Sequence, residues 1–165
     1  MECCIQTEIE EDEFNYLFKW RKHVFPLEGR GFVWSEPTHH IVARDNGKAV
    51  GHIGFGAYTI IGEAEKVVIG VGGVVVRPEY QGRKIPGNMF AVLNSTDTLN
   101  AKDRIKTLFC PKRLVSYYEN HGYEDFCHGF RFNQKYGYTR SDKLHFMTRG
   151  ELGLTRFLSI PCYPW

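Results

Sequence analysis

The fold is decided by one stretch of the sequence, Val74-Val75-Val76-Arg77-Pro78-Glu79-Tyr80-Gln81-Gly82-Arg83-Lys84-Ile85-Pro86-Gly87. Its valines end a run of β-branched residues that predicts a buried strand, and the prolines and glycines that follow interrupt the pattern. Beyond the stretch, Met89, Phe90 and Leu93 lie on one face of a predicted helix. Pro86 suits the first turn of that helix, where its missing N–H costs nothing. The pattern therefore predicts a strand, a tight loop and a helix in direct succession.

The loop in this stretch is a candidate anion site. At the start of a helix, unpaired backbone N–H groups and the helix dipole both attract negative charge. Arg83 and Lys84 add two positive side chains at the same place. This chemistry is typical of a pyrophosphate site, and it fits equally an ordinary strand-to-helix connection whose basic side chains are solvated.

Upstream of the loop, the chain reads as one helix followed by an antiparallel meander. Apolar residues at three- and four-residue steps predict a helix over residues 10–25, which Pro26 ends. Residues 39–44, 49–61 and 67–77 are predicted strands, and Asp45-Asn46-Gly47 between the first two is a strong hairpin signal.

Downstream of the loop, strand and helix patterns alternate. Residues 105–110 read as a strand, and Pro111 opens a helix that Gly122 ends. Residues 123–132 and 144–147 are further predicted strands. With no repeat or linker in sight, we expect one domain over residues 1–165, of the α+β class, with a mixed, mostly antiparallel sheet flanked by helices.

Composition excludes several classes of protein. The 165 residues carry 21 basic and 19 acidic side chains, a net charge of +2, which does not favour a nucleic-acid partner. The longest apolar run, residues 67–76, is about half of the roughly 20 residues that span a bilayer. Five cysteines, an odd number without a Cys-x-x-Cys pair, and the lack of a signal peptide predict a reduced cytoplasmic protein. We expect no metal site and no membrane partner.

The quoted loop resembles the coenzyme A pyrophosphate loop of the GCN5-related N-acetyltransferase superfamily, whose pattern is Gln/Arg-x-x-Gly-x-Gly/Ala after a valine-rich strand. Gln81 matches the first position, whereas Lys84 and Pro86 replace the two small residues. The resemblance implies acetyl-CoA as cofactor, with the valines bonded to its pantetheine arm and the loop around its pyrophosphate. The residues so implied are Val74, Val75, Val76, Gln81, Gly82, Arg83, Lys84, Ile85, Gly87 and Asn88.

A second segment, residues 114–123, resembles the later helix of the same superfamily, which ends in Tyr-x-x-x-Gly-aromatic. By this match Tyr118 faces the coenzyme sulfur and is the predicted catalytic acid. A departing thiolate needs a proton, and a phenol with a pKa of about 10 can supply it to a thiol of about 8.5. The other interpretation of Tyr118 is a core aromatic at helical spacing.

Within the superfamily, the chain is most similar to the group of aminoglycoside 2'-N-acetyltransferases and the nodulation acyltransferase, through residues 51–54, 70–79 and the Pro164-Trp165 pair. Aminoglycoside acetyltransferases of this group have an acidic residue where this chain has Gly72. In that group a terminal tryptophan folds back with its carboxylate in the active site. The resemblance thus makes Trp165 a catalytic candidate near Tyr118, in partial replacement of the missing acid. Alternatively, the tail only fills an apolar groove or a dimer contact.

Together these resemblances predict an acyl-CoA-dependent N-acetyltransferase that passes an acetyl group directly to a primary amine of a small molecule. An aminoglycoside-like acceptor is among the candidates, and a homodimer stays open. The general base is not identified, and Glu36, His52 or a water chain could serve. Cys110 and Cys127 are expected to be buried small apolar residues. The alternative is a catalytically silent module of the same fold that binds the coenzyme or a protein partner.

Overall fold

Two long antiparallel strands form the centre of the sheet in the computed structural model, which describes residues 1–165. They are β3 (Lys48–Ile61) and β4 (Glu65–Val76), and they pair from Ile61 opposite Glu65 to Gly51 opposite Val76. On the other side of β3 lie β2 (His39–Asp45) and then β1 (Glu2–Gln6), both antiparallel. The Asn46-Gly47 turn between β2 and β3 has positive φ at both residues, as the hairpin signal predicts.

Six shorter strands complete a mixed sheet of ten strands in which only β4–β5 and β10–β7 are parallel pairs. The order along the main path is β6-β9-β5-β4-β3-β10-β7-β8. The short strands are β5 (Lys106–Pro111), β6 (Glu124–Asp125), β7 (Gly129–Gln134), β8 (Gly137–Thr139), β9 (Leu144–Arg149) and β10 (Phe157–Ile160). The predicted α+β class with a mostly antiparallel sheet is confirmed.

Three α-helices flank the sheet: α1 (Glu11–Phe18), α2 (Ile85–Ser95) and α3 (Val115–Glu119). Single 3-10 turns or short 3-10 segments occupy Leu27–Gly29, Pro78–Tyr80, Thr98–Asp103 and Lys112–Leu114. Helix α2 buries Ile85, Met89, Phe90 and Leu93, which recur at helical spacing on one side. None of the helices is long and apolar enough to cross a membrane.

The sheet separates two apolar layers, because alternate residues of a strand point to opposite faces. Ile69 and Val71 of β4 pack with α2 and α3 on what we call the helix face. A side chain at Gly70 or Gly72 would instead meet Trp165. We call this opposite side, covered by α1 and residues 161–165, the tail face.

The first helix is shorter than predicted. It ends at Phe18 because Lys19 leaves the helical region at φ −113, and Leu17 is its last fully buried residue. Residues 19–25 are not helical, although Val24 still packs against the buried cluster of Leu17, Val42, Ala49 and Val75. The apolar spacing up to residue 25 therefore reflects the burial of an irregular segment and not a longer helix.

The strand prediction was wrong in other places. Residues 123–132 form two strands, β6 and β7, with Cys127 exposed between them rather than buried as expected. Strands β1 and β10 were not predicted, since they are short and pair with segments that are distant in the chain. Strand β8 was missed as well; it has three residues and forms a tight hairpin with β7.

Candidate functional site

The parallel strands β4 and β5 separate soon after they meet. They pair only through Ile69 with Lys106 and Gly70 with Thr107. Beyond this point β4 stays with β3 while β5 stays with β9, so the two strands diverge. We call the opening between residues 71–76 and 108–111 the β4–β5 cleft. The edge of β4 along this cleft, which includes Val74, Val75 and Val76, has no strand partner and can bond an extended, peptide-like chain.

The cleft leads directly into the predicted pyrophosphate loop. After the 3-10 turn Pro78–Tyr80, the first hydrogen bond of α2 runs from the N–H of Asn88 to the oxygen of Lys84, at 3.2 Å. No backbone hydrogen bond uses the amides of residues 82–85 or of Gly87, and Pro86 has none to offer. Five N–H groups therefore remain free at one helix N-terminus, which is a fitting cradle for a pyrophosphate.

Lys84 holds a backbone conformation that normally belongs to glycine. Its φ is +58, in the left-handed region, and Gly82 two residues earlier has φ +80. This explains why the superfamily pattern has a glycine at the position of Lys84, since a side chain there is strained. The left-handed residue turns the chain sharply into α2.

Two side chains of the predicted pyrophosphate loop contact neighbouring residues of the protein. Gln81 donates from Nε2 to the oxygen of Val76 at 3.3 Å, and the Arg83 guanidinium lies 4.9 Å from the centre of the Tyr80 ring. The side chains of Arg83, Lys84 and Asn88 are exposed. Both basic residues are thus free to reach an anion, but the fixed donors are the amides.

Before the loop, α1 is tied to the end of β4. Arg77 lies over the Tyr16 ring at 4.2 Å and forms an ion pair with Glu79 at 3.0 Å. The Tyr16 hydroxyl donates to the same carboxylate at 2.8 Å. This contact fixes the entry to the loop against the first helix.

A polar groove of about 480 Å³ continues from the loop between α2 and the turn that follows α3. Gly87 and Asn94 of α2 lie on one side, and His121 and Arg149 lie on the other. The Asn94 side-chain oxygen is buried without a hydrogen-bond partner. The groove therefore presents the positive charge of Arg149 on the same side of α2 as Gly87.

Tyr118 lies on the helix face, and only 7% of it is exposed. Its ring is 6.4 Å from that of Phe90 and 6.0 Å from that of Tyr123, both nearly perpendicular to it. Burial raises the pKa of Tyr118 far above its usual value, so the hydroxyl keeps its proton at every physiological pH. Its neighbour Tyr117 is much more exposed.

Trp165 lies on the tail face, at the point where β4 and β5 part. Its indole N–H donates to the oxygen of Thr107 at 3.0 Å, and its ring stacks on Tyr58 at 4.4 Å. A Cβ at Gly70 would overlap the indole, and a Cβ at Gly72 would lie 2.8 Å from the main-chain carboxyl carbon of Trp165. The carboxyl group thus takes the space that a side chain at position 72 would fill.

The tail is held in this place by the segment before β2. The Ser35 hydroxyl donates to the oxygen of Tyr163, and the Ser35 N–H donates to that of Pro164, both at 2.7 Å. Sequence reasoning missed Ser35, Thr107 and Tyr58. The sequence held one indication of this packing: Gly70 and Gly72 are two residues apart on an apolar strand, so both leave space on the same face for a large side chain.

The two predicted catalytic residues lie on opposite faces of the sheet. Tyr118 packs with Ile69 and Val71, whereas Trp165 meets Gly70 and Gly72. A substrate that contacts both residues must therefore lie in the β4–β5 cleft, which connects the two faces.

The two side chains that could serve as the general base differ in their freedom to accept a proton. Both ring nitrogens of His52 are occupied, by the oxygen of Gly73 at 2.7 Å and by His40 at 2.9 Å. Burial lowers the pKa of His52 to about 4, so the ring is neutral. The Glu36 side chain is exposed, and its backbone oxygen accepts from Tyr58 at 3.2 Å.

No set of three or more His, Cys, Asp or Glu side chains is arranged to hold a metal ion. All five cysteines are free thiols, and burial raises the pKa of Cys110 to about 12. Cys110 is therefore an unreactive buried thiol, as expected from the sequence.

A family model described as an acetyltransferase (GNAT) domain matches residues 36–125, which include β2–β5, the loop, α2 and α3. The chain belongs to this family. The superfamily that the loop and the tyrosine segment indicate is thus confirmed. Enzymes of the GNAT family use acetyl-CoA as their acyl donor. No curated protein sequence matches the chain.

Solved structures with the GNAT fold are similar over almost the whole chain. An acyl-CoA N-acyltransferase from Pseudomonas aeruginosa is 17% identical, with a TM-score of 0.56 over 90% of this chain and 99% of that one. A GNAT family N-acetyltransferase from Escherichia coli in complex with CoA is 18% identical, with a TM-score of 0.56 over 96% and 89%. An acetyltransferase from Brucella melitensis in complex with acetyl-CoA is 20% identical, with a TM-score of 0.51 over 98% and 93%. At these identities the likeness establishes the fold.

Proposed function

We propose that this chain is an acyl-CoA-dependent N-acetyltransferase that moves an acetyl group directly from acetyl-CoA to a primary amine of a small molecule. The main support is the β4–β5 cleft, whose free strand edge leads within a few residues to the free amides before α2. One continuous backbone path thus offers bonds for an amide-rich arm and then for two phosphates, in the order in which coenzyme A carries them.

Each part of the coenzyme has a chemically suitable surface in this proposal. The open edge at Val74, Val75 and Val76 takes the pantetheine arm as an added strand. The amides of residues 82–85 and Gly87 take the pyrophosphate, with Gln81 holding the loop closed and Asn88 at its rim. The groove beside Asn94 and Arg149 is left for the nucleotide end.

The bound coenzyme supplies a thioester whose carbonyl carbon an amine can attack. Tyr118 holds, at its hydroxyl oxygen, the proton that the departing sulfur requires. Its apolar surroundings exclude water and raise its pKa, so the hydroxyl is protonated when the thiolate forms beside it. The positioning of both reactants in the cleft supplies the rest of the acceleration through proximity.

We propose that Trp165 acts on the acceptor side. Its main-chain carboxyl group lies against Gly72, where a negative charge can hold the ammonium of an incoming amine. This position supports the finer similarity to the aminoglycoside 2'-N-acetyltransferase and nodulation acyltransferase group. The partly exposed Tyr58 ring, which stacks on the buried indole of Trp165, gives the same place a flat apolar surface for a ring-shaped acceptor.

The proposal is tested first by coenzyme binding and then by turnover. Acetyl-CoA at 100-fold over its Kd should stabilise the protein by about 2.7 kcal/mol, measured as a thermal shift. Release of free thiol is then followed over a panel of amines, aminoglycosides and peptides, and size-exclusion chromatography shows whether the active species is a homodimer. Failure of every acyl-CoA to shift the unfolding temperature would overturn the proposal.

The burial of Tyr118 favours a second candidate, a catalytically silent module that binds the coenzyme or a protein partner. A phenol whose pKa is raised so far above that of a thiol is a weak proton donor. Tight coenzyme binding without thiol release for any amine in the panel would support this candidate against the enzyme.

A further inference from the structure

Strand β4 contains a bulge beside the cleft. His52 pairs with Val75 and Gly54 pairs with Gly72, so Ile53 alone faces two residues of β4, Gly73 and Val74. Gly73 has φ +59, which is the left-handed glycine of a common type of bulge. The extra residue changes which side chains point to which face.

The packing of the β4 side chains shows that the bulge reverses which residues point to each face of the sheet. Before the bulge, Val71 points to the helix face, and after it Val74 and Val76 do so. Val75 points to the tail face and packs with Leu17 of α1. Without the bulge, strict alternation from Val71 would place Val75 on the helix face instead. The bulge therefore sets the orientation of the strand edge proposed to bind the coenzyme.

Two histidines hold the bulge from the tail face. The oxygen of Gly73 can only accept, so the Nδ1 of His52, 2.7 Å away, must carry a hydrogen and donate it. The neutral ring then has a bare Nε2, which accepts from the Nδ1–H of His40 at 2.9 Å. The two contacts fix the tautomers of both rings in series.

The histidine pair is rigidly enclosed. His52 is 2% exposed, and the Phe18 ring meets its edge at 5.0 Å. A Cβ at Gly73 would lie only 3.2 Å from the Cε1 of His52. Position 73 therefore requires glycine for its backbone angle and for the space that the imidazole occupies.

We propose that His52, oriented by His40, is a positioning residue for the coenzyme: it fixes the carbonyl of Gly73 and with it the bulge that aims the β4 edge into the cleft. The inference rests on the proposed function, because it concerns the affinity of that edge for the pantetheine arm. It also assigns His52 a role other than the general base, since neither ring nitrogen is free to take a proton from an amine.

Two substitutions of similar size separate the hydrogen bond from packing. His52→Asn keeps an N–H close to the position of Nδ1, whereas His52→Leu removes the donor. We expect His52→Leu to weaken coenzyme A binding about tenfold in calorimetric titration, the effect of one lost hydrogen bond, with KM for acetyl-CoA rising and kcat changing less. His52→Asn should restore most of the affinity. His39→Leu, a neighbour whose ring lies against Phe55, serves as the control that leaves affinity unchanged.

The tautomers are measured on the ligand-free wild-type protein by nitrogen-15 spectra of the imidazoles, with His52 expected to carry its hydrogen on Nδ1. His40→Leu leaves the Nε2 of His52 without its donor, so it should loosen the ring and weaken coenzyme binding by less than His52→Leu does. It supplies the test if His52→Leu does not fold. Equal affinities in wild type, His52→Leu and His40→Leu, or a hydrogen on Nε2 of His52, overturn the positioning role. Wild-type protein that binds no coenzyme overturns the proposed function before any variant is made.

Discussion

The coenzyme side and the tail side of the β4–β5 cleft are built in different ways. On the coenzyme side, residues 74–88 supply nearly all of the groups that we propose bind the coenzyme, and most of them are backbone amides. On the tail side, Gly72, Ser35, Tyr58, Thr107 and Trp165 come from five separate parts of the chain. A local backbone site holds a ligand that many proteins share, whereas a surface assembled from distant side chains can be specific to one acceptor.

The tail should have the largest effect of all on transfer. Deletion of Pro164 and Trp165 is expected to abolish acetyl transfer, measured as thiol release, while the amides of the coenzyme loop remain in place. Extension beyond Trp165 by a few Gly-Ser residues keeps the indole against Gly70 but moves the carboxyl charge, and it should also impair transfer. Full activity of the extended protein would leave packing as the only role of Trp165.

Substitution of Tyr118 should have the second-largest effect on transfer, and it should lower turnover without changing coenzyme binding. Tyr118→Phe keeps the ring among Phe90 and Tyr123 and removes only the acid, so turnover should fall by about 10²- to 10⁴-fold. The Kd for acetyl-CoA, measured by titration, should change little. An unaltered kcat would identify Tyr118 as a core aromatic, and Tyr117→Phe is the matched control.

The histidine pair should make stability depend on pH. His52 has a pKa of about 4 in the folded protein and about 6.5 when unfolded, so the unfolded chain binds more protons between these values. Its contribution is complete above pH 6.5 and is lost as pH falls towards 4, on the order of 3 kcal/mol in all.

This dependence is measured by urea unfolding across that pH range. Burial also lowers the pKa of His40, so His40 adds a change of the same sign. His52→Asn should flatten the profile, and an equally steep loss of stability in this variant would assign the pH dependence to other groups.

On the coenzyme side, the backbone amide of Gly87 should contribute more to coenzyme affinity than the basic side chains of Arg83 and Lys84. Gly87→Pro removes one free N–H in the first turn of α2 and should weaken coenzyme binding by about 10- to 100-fold, as expected for a hydrogen bond to a charged group. Gly87→Ala keeps the amide, and its Cβ would have only the His121 ring near, at 4.0 Å. Arg83→Ala should weaken binding only modestly, and a greater loss there than in Gly87→Pro would contradict an amide-based site.

The smallest effect should come from the backbone of Lys84. Lys84→Gly relieves a left-handed conformation and should stabilise the protein by about 1 kcal/mol, whereas Lys84→Ala keeps the strain. Chemical denaturation of both variants measures the difference with the charge removed in each. Equal stabilities would mean that the loop relaxes in the alanine protein.

The parts of the fold that were predictable from the sequence have strong local signals. Strands β2, β3 and β4 and helix α2 follow hydrophobic patterns bounded by turn residues, and each was expected within a few residues of its position. The length of α1 and the strands β1 and β10 were not predictable, because they depend on packing and on strand partners distant in the chain. The hairpin strand β8 has only three residues, too few for an alternating pattern to be recognised.

The family was identified from the sequence through the resemblance of residues 74–87 and 114–123 to its motifs, and a family model confirms it. The free amides at the start of α2 were also predictable, because they need only a strand, a tight turn and a helix in succession. Three other features depend on tertiary contacts. Strands β4 and β5 separate after Gly70 and Thr107, and Trp165 occupies the space next to Gly72. His52 donates a hydrogen bond to the oxygen of Gly73 at the bulge. These features join residues far apart in the chain. They are stabilised by close packing and hydrogen bonds between these distant residues, and no local sequence pattern encodes such contacts.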